Sequence, residues 1–268
     1  MSDVKQLSFT PSIFKKIAPD QYLSHLLDQN IRSDGRTVTE FREPQVHTDC
    51  ISTANGSAIV RAGENVFVCG IKAEIAEPTA DAPDCGFIVP NVELGPLCNS
   101  KFKPGPPSDL AQVISQQLYQ ILIQTKLIHL HSLCIHEKKA VWALYADIVC
   151  LNYDGNAFDH AWTALMSALA TTKLPTAVWD EDLEKVVCAS NLTRPVQLST
   201  KLYSFSWSVF NNILLADPTD EEVSLSNEFL TIMMDTSKNI SKMTKLGGSF
   251  IQVDKLKECV EFARNHIE

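Results

Sequence analysis

Asp154-Gly155-Asn156 leads directly into Ala157-Phe158-Asp159 at a point where a strand pattern gives way to a helix pattern. The first turn of a helix gathers free backbone N–H groups and partial positive charge, which is a ready cradle for an anion. A phosphate-handling site there wants a cation, but this helix start offers Phe158, which cannot bind phosphate, and Asp159, which repels it. Taken alone, Asp159 also suits a simpler role as the acidic complement of the helix dipole. Asp217 could serve as an acid, yet Pro218-Thr219 behind it equally fits a turn or cap. His129-Leu130-His131, with His136 following, comes nearest to a metal pattern, but no cysteine or carboxylate pair joins it at ligand spacing. A polar loop accounts for these histidines, and neither a metal nor a cofactor is expected. Lys101-Phe102-Lys103 flanks an aromatic ring with two cations, which can meet single-stranded RNA by charge and stacking. The alternative is a loop in which Phe102 packs down and the lysines are solvated.

The elements that must position these residues follow from composition and periodicity. With 268 residues and 45% hydrophobic content, the chain can fill one large or two small cores. No run approaches the roughly 18 apolar residues of a membrane span, and Met1-Ser2-Asp3-Val4-Lys5-Gln6 lacks the plan of a signal peptide, so a cytosolic or nuclear protein with no membrane partner is expected. The eight cysteines are scattered and none forms C-x-x-C, which reads as buried free thiols. A net charge of −9 argues against a chain that binds nucleic acid by itself, so any RNA contact must be local or shared with partners.

Pro19-Asp20 starts a peripheral helix carrying Tyr22, Leu23, Leu26 and Leu27. Strands are predicted over 45–53, 57–61 and 66–76, with Asn55-Gly56 as a hairpin turn and a second turn at Gly63-Glu64-Asn65. Another strand covers 87–94, and a loop with four prolines runs to Pro107. Residues 108–125 carry Leu110, Val113, Ile114, Leu118, Ile121 and Leu122 on one helical stripe. The nearly continuous apolar run 140–152 predicts a buried strand. After the helix from Ala157, Leu174-Pro175 reads as a stop and the polar stretch to Pro195 as a connection. A second, smaller lobe follows, with strands at 201–210, 213–217, 229–235 and 240–246 and a helix from Asp254. The class is α+β, two β-rich lobes each followed by helices.

These residues resemble the RNase PH family, and within it the ring subunits of the RNA exosome. The matching motifs are Arg32-Ser-Asp-Gly-Arg36, Asn55-Gly-Ser-Ala-Ile-Val60, Val68-Cys-Gly-Ile-Lys72, Val89-Pro-Asn-Val-Glu93, Pro104-Gly-Pro-Pro107, Asp154-Gly-Asn156 and Asp217-Pro-Thr219, in the family's order from about Asn30 onward. The resemblance implies an RNase PH fold: an N-terminal helical extension over 1–29, a ribosomal-protein-S5-like β-α-β-α domain over 30–178, and a smaller second domain over 190–268. It also implies a heterodimer with another RNase PH-like subunit inside a six-membered ring, cap subunits of S1 or KH fold, a separate hydrolytic exonuclease, and single-stranded RNA passing through the assembled pore. Nucleus, nucleolus and cytoplasm are the compartments expected for such RNA processing and decay.

Active relatives use phosphate to split RNA from its 3' end, which needs cations around the phosphate and a carboxyl group to protonate the leaving oxygen. Where active members read Asp-Gly-Gly-Thr-Arg, this chain reads Asp154-Gly155-Asn156-Ala157-Phe158. Two aspartates of the active pattern, placed after a Glu-Glu pair, fall here on Val223 and Phe229. The helix over 108–125 holds no lysine or arginine, although its counterpart in active rings carries basic residues. The resemblance therefore implies a non-catalytic subunit with no catalytic residues, in which Lys101 and Lys103 are the RNA-contacting candidates. Arg32, Asp34 and Arg36 are expected to tie down the segment leading into the first domain. Two other readings stay open: a phosphorolytic exoribonuclease completed across a subunit interface with Asp217 as acid, and a small-molecule kinase or isomerase on an S5-like fold. No Gly-rich phosphate loop supports the latter.

Overall fold

The computed structural model describes residues 10–248 and 251–267, with backbone alone at 190–192. Two short helices, α1 (Pro11–Ile17) and α2 (Pro19–Asp28), come first, each opened by a proline in its first turn, where the missing N–H costs no hydrogen bond. A six-stranded sheet follows, built from β1 (Gln45–Thr48), β2 (Gly56–Ala62), β3 (Asn65–Ala76), β4 (Phe87–Glu93), β5 (Cys134–His136) and β6 (Ala140–Asn152). Its main path runs β1-β2-β3-β6-β4, with β5 paired to β6. β6 is the spine: it runs antiparallel to β3, with Ala76 opposite Val141, and parallel to β4, with Phe87 opposite Ala143.

Helices α3 (Asp109–Gln124) and α4 (Ala157–Thr171) cover one face of this sheet. The other face is covered beside Ala140–Leu144 and open beyond, where the strands alternate: Phe67, Cys69 and Ile71 point into the core while Lys72, Tyr145 and Asp147 face outward. The expectation of a buried β6 therefore holds over Ala140–Leu144, where consecutive residues are all buried, and is corrected to burial on one face from Tyr145 onward. A second correction concerns Asn55-Gly56. The tight turn lies at Gly63-Glu64, between Ala62 and Asn65, whereas Gly56 opens β2 beneath the end of α4. A Cβ on Gly56 would stand 2.3 Å from Thr172 Oγ1, so glycine is needed there for close packing rather than for a hairpin.

The stretch read as a connection after Leu174-Pro175 is a hairpin of β7 (Lys173–Asp180) and β8 (Lys185–Pro195). Pro175 is tolerated because the pairing shifts register between Pro175 and Thr176, an irregularity where no ladder N–H is needed. Beyond it, β9 (Leu202–Phe210), β10 (Ile213–Ala216), β11 (Glu228–Asp235) and β12 (Ile240–Leu246) form a sheet of order β10-β9-β11-β12, packed against α6 (Val253–Asn265). A short helix, α5 (Asp220–Leu225), links β10 to β11, and Glu222 caps it by accepting from the Thr219 N–H at 2.9 Å.

Two contacts show how the segment preceding the first sheet binds the second. Leu23 and Leu27 of α2 are buried against Phe210 and Leu215. Phe41 stacks on Phe262 with ring centres 5.2 Å apart and meets Trp207 edge-on at 5.4 Å. On the other side of the junction, Trp162 of α4 is buried and donates from Nε1 to the Leu202 carbonyl at 2.8 Å. The start of α4 thus lies where three stretches of chain converge.

Candidate functional site

Gly155 is pressed against the loop after β10: with φ of +74° and a would-be Cβ 2.4 Å from the Pro218 carbonyl oxygen, only glycine fits. Asn156, also left-handed at φ 44°, occupies the N-cap of α4, but its side chain makes no cap bond to the helix backbone. Its Nδ2 donates instead to two carboxylates, Asp159 Oδ2 at 2.9 Å and Asp217 Oδ1 at 2.7 Å. From below, Asn65 at the start of β3 holds the same turn, donating to the Gly155 carbonyl at 2.8 Å and accepting from the Asp154 N–H at 2.7 Å.

Arg42 closes the arrangement. It donates from Nε to Asp217 Oδ2 at 2.6 Å, from Nη2 to Asp217 Oδ1 at 2.8 Å, and from Nη1 to the Asp154 carbonyl at 2.9 Å. Arg36 gives Nη2 to the Asp217 carbonyl at 3.0 Å and its Nε to Asp34 at 2.6 Å. Behind them, Arg32 is fully buried in a fork with Glu222, Nε to Oε1 at 2.9 Å and Nη2 to Oε2, and Nη1 bonds the Ala216 carbonyl at 2.6 Å. The arginines of the Arg32–Arg36 motif therefore tie the approach to the first sheet onto the second one.

Burial by itself would raise the Asp217 carboxyl, but the Arg42 guanidinium and the adjoining His160 hold it well below the usual carboxylate range. An acid so firmly ionised has no proton to give a leaving group. Asp159 behaves oppositely: complete burial raises it, and hydrogen bonds from Ser204, Asn156 and Ser206 offset this only in part. His160 Nε2 is buried and makes no hydrogen bond among the described residues, although Asp217 Oδ1 lies 3.5 Å away.

All of this borders a cleft of about 1180 Å³ between the two sheets, lined by Arg42, Asn156, Asp159, His160, Ser204 and Asp217 among others. Arg36 and Arg42 are bound to internal carboxylates, whereas Lys201, exposed on the same lining, has no ion pair among the described residues. What the arrangement does chemically is clasp: Asp217 is matched by Arg42 and Glu222 by Arg32 from distant stretches of chain, while Asp159 is held by the neutral donors Asn156, Ser204 and Ser206.

The residues singled out from sequence fall in three places. Asp154, Asn156, Asp159 and Asp217 meet at the clasp. Phe158 leaves the cleft and packs, partly buried, against the core of the first sheet, while Val223 in α5 and Phe229 in β11 are also away from the cleft lining. Lys101 is drawn to the second sheet's side, forming an ion pair with Asp220 and lying 4.1 Å over the Tyr153 ring. Phe102 is buried edge-on to Tyr153 at 5.3 Å, so it offers no face for base stacking, and Lys103 alone of the three is exposed without such ties among the described residues. Arg42, Asn65 and His160 were not singled out: each is a lone polar residue whose partners lie far along the chain, at separations such as 175 residues for Arg42 and Asp217.

Comparison with known proteins places this geometry. The profile of the 3' exoribonuclease family, domain 1 (RNase PH), matches residues 40–175, and that of the same family's domain 2 matches residues 203–266. The exosome complex component rrp43 of Schizosaccharomyces pombe is 72% identical over 99% of this chain and 98% of its own length. The exosome complex component Rrp42 of Archaeoglobus fulgidus is 33% identical over 94% of both chains. Among solved structures, a chain of the Archaeoglobus fulgidus exosome with RNA bound to the active site superposes with a TM-score of 0.83 at 30% identity, covering 95% of this chain and 96% of that one. A chain of an archaeal exosome core gives 0.78 at 28% identity, with 96% of each chain covered.

Proposed function

We propose a role for this chain from the premise that it belongs to the 3' exoribonuclease family of RNase PH type: it is a ring-building subunit of the RNA exosome that supports 3'-to-5' RNA processing and decay without performing the chemistry itself. Its partners are other RNase PH-like ring subunits, one of which pairs with it as a heterodimer, together with S1 or KH cap subunits and a hydrolytic exonuclease. Single-stranded RNA passes through the pore the ring encloses. The nucleus, nucleolus and cytoplasm are where such a complex works.

The single observation that carries the non-catalytic half is the state of Asp217. Both of its carboxylate oxygens accept from Arg42, so the nearest acid and the nearest cation cancel one another inside the fold. Phe158 turned away from the cleft and partly buried against the core, and Val223 and Phe229 away from the cleft, agree with this reading. A domain that keeps an enzyme's fold while joining its own charges has reason to be retained for its surfaces. Tagged chain isolated from cells at native stoichiometry should bring down the other ring subunits in equal amounts. Recovery of a lone monomer, or of a homohexamer, would remove the proposal.

A further inference from the structure

Far from the clasp, the turn leading into β4 meets the single-turn helix Leu130–Leu133 at an exposed corner of the first sheet. Asp84, Cys85 and His131 there bring carboxylate, thiol and imidazole donor atoms within 4.8 Å of one another, and among the described residues they are the one group of three to do so. We propose that this corner binds a divalent transition metal of the zinc type through Cys85 Sγ, His131 Nδ1 and an Asp84 carboxylate oxygen, leaving a fourth position for water or an external ligand.

The spacing supports this. Tetrahedral zinc, with bonds of about 2.0 Å to nitrogen and oxygen and about 2.3 Å to sulfur, separates its ligand atoms by roughly 3.3 to 3.6 Å. Here Cys85 Sγ stands 3.5 Å from His131 Nδ1, 3.9 Å from His131 Nε2 and 3.6 Å from Asp84 Oδ1. His131 Nδ1 lies 2.9 Å from the other carboxylate oxygen, Asp84 Oδ2, so an ion would turn the imidazole and draw one Asp84 oxygen towards both partners. Thiolate and imidazole donors select zinc-like ions over magnesium or calcium. Binding replaces the Cys85 S–H bond by an S–metal bond and releases that proton to solvent.

The scaffold is set before any ion arrives. Gly86 lies so close to the underlying strand that a Cβ would fall 2.5 Å from both Leu133 Cβ and the Trp142 carbonyl oxygen, and its N–H donates to the Leu130 carbonyl at 3.0 Å. The Cys85 N–H bonds to the Ala82 carbonyl at 3.3 Å, and Lys138 N–H to the Pro83 carbonyl at 2.9 Å. Both limbs of the corner are thus fastened to the β6 side of the sheet. A purely structural role gives little return, since the Asp84–His131 pair is 46% and 71% exposed and screened by solvent. Sequence spacing hid the group because Cys85 lies 46 residues before His131.

The full-length chain, stripped of metal by a chelator, is to be titrated with Co²⁺ and then Zn²⁺ while its absorption is recorded. One equivalent of Co²⁺ should produce a thiolate-to-cobalt charge-transfer band that equimolar Zn²⁺ removes. Cys85→Ser should abolish the band and His131→Ala should weaken Co²⁺ binding by roughly tenfold or more, while a Cys50→Ser, Cys188→Ser control, which removes the two exposed thiols elsewhere, should keep it. Absence of the band in the unsubstituted chain, or its survival in Cys85→Ser, would overturn the proposal.

Discussion

The start of α4 and the corner at Cys85 both concentrate polar donors, yet they differ in where their partners come from. At α4 the carboxylates of Asp159 and Asp217 are buried, and every one of their oxygens accepts from another part of the same chain. At the corner the donors are half-buried or exposed, and they face one another across a gap with one side open. Dense internal pairing makes a joint, because a buried charge costs several kcal/mol unless fully matched. Preorganised donors left at the surface make a place for something else to bind.

The largest effect expected from breaking this contrast is at the clasp. Arg32→Ala leaves Glu222 buried without its partner, and Asp217→Asn strips Arg42 of its bidentate acceptor; each should cost about 3–5 kcal/mol, measured by urea unfolding of the full chain. Acid should separate the two carboxylates. The native Asp217 pKa lies below its ordinary 3.8, so its contribution is fully present above about pH 4 and is lost as pH falls toward the native value. Asp159 has its pKa raised above 3.8, so its buried charge costs stability at neutral pH, and that cost disappears as pH falls through the native value. Asp159→Asn should accordingly be neutral or stabilising at pH 7 where Asp217→Asn is damaging. Equal losses in the two would refute the distinction drawn between them.

A smaller effect is expected at the Lys101 loop. Reversing charge at Lys101 and Lys103 breaks the pair with Asp220, whose side chains are 39% and 24% exposed, at a cost of about 1 kcal/mol or less. If the loop guides RNA, the same double variant should lower RNA crosslinking to the assembled ring, and unchanged crosslinking would restrict these lysines to a structural role. Cys85→Ser should change the stability of the metal-free chain least of all, within about 0.5 kcal/mol.

Local pattern carried the elements and little of the site. The helix at 108–125 and the strands of the second sheet were legible because their apolar periodicity is strong. The β7–β8 hairpin was hidden by Pro175, which reads as a break yet sits at a register shift. Helix α5 was missed although Thr219 and Glu222 stand at capping-box spacing, a signal present in the residues themselves. Asp217 was legible as a turn residue, but its role as the hub of the clasp depends on Arg42, His160 and Asn156, which only the fold assembles. Phe158 was legible as the wrong residue for phosphate; that Asp159 and Asp217 take up the donors instead was not.

The most direct test of a ring subunit with its charges turned inward is phosphate-dependent release of nucleoside diphosphates from 3'-tailed RNA, measured for the full chain alone and for the assembled complex carrying Asp217→Asn in this subunit. No release from the chain alone, and release from the correctly assembled complex unaltered by the substitution, is the predicted result. Nucleoside diphosphates produced by the chain alone, or lost from an intact complex through Asp217→Asn, would contradict it.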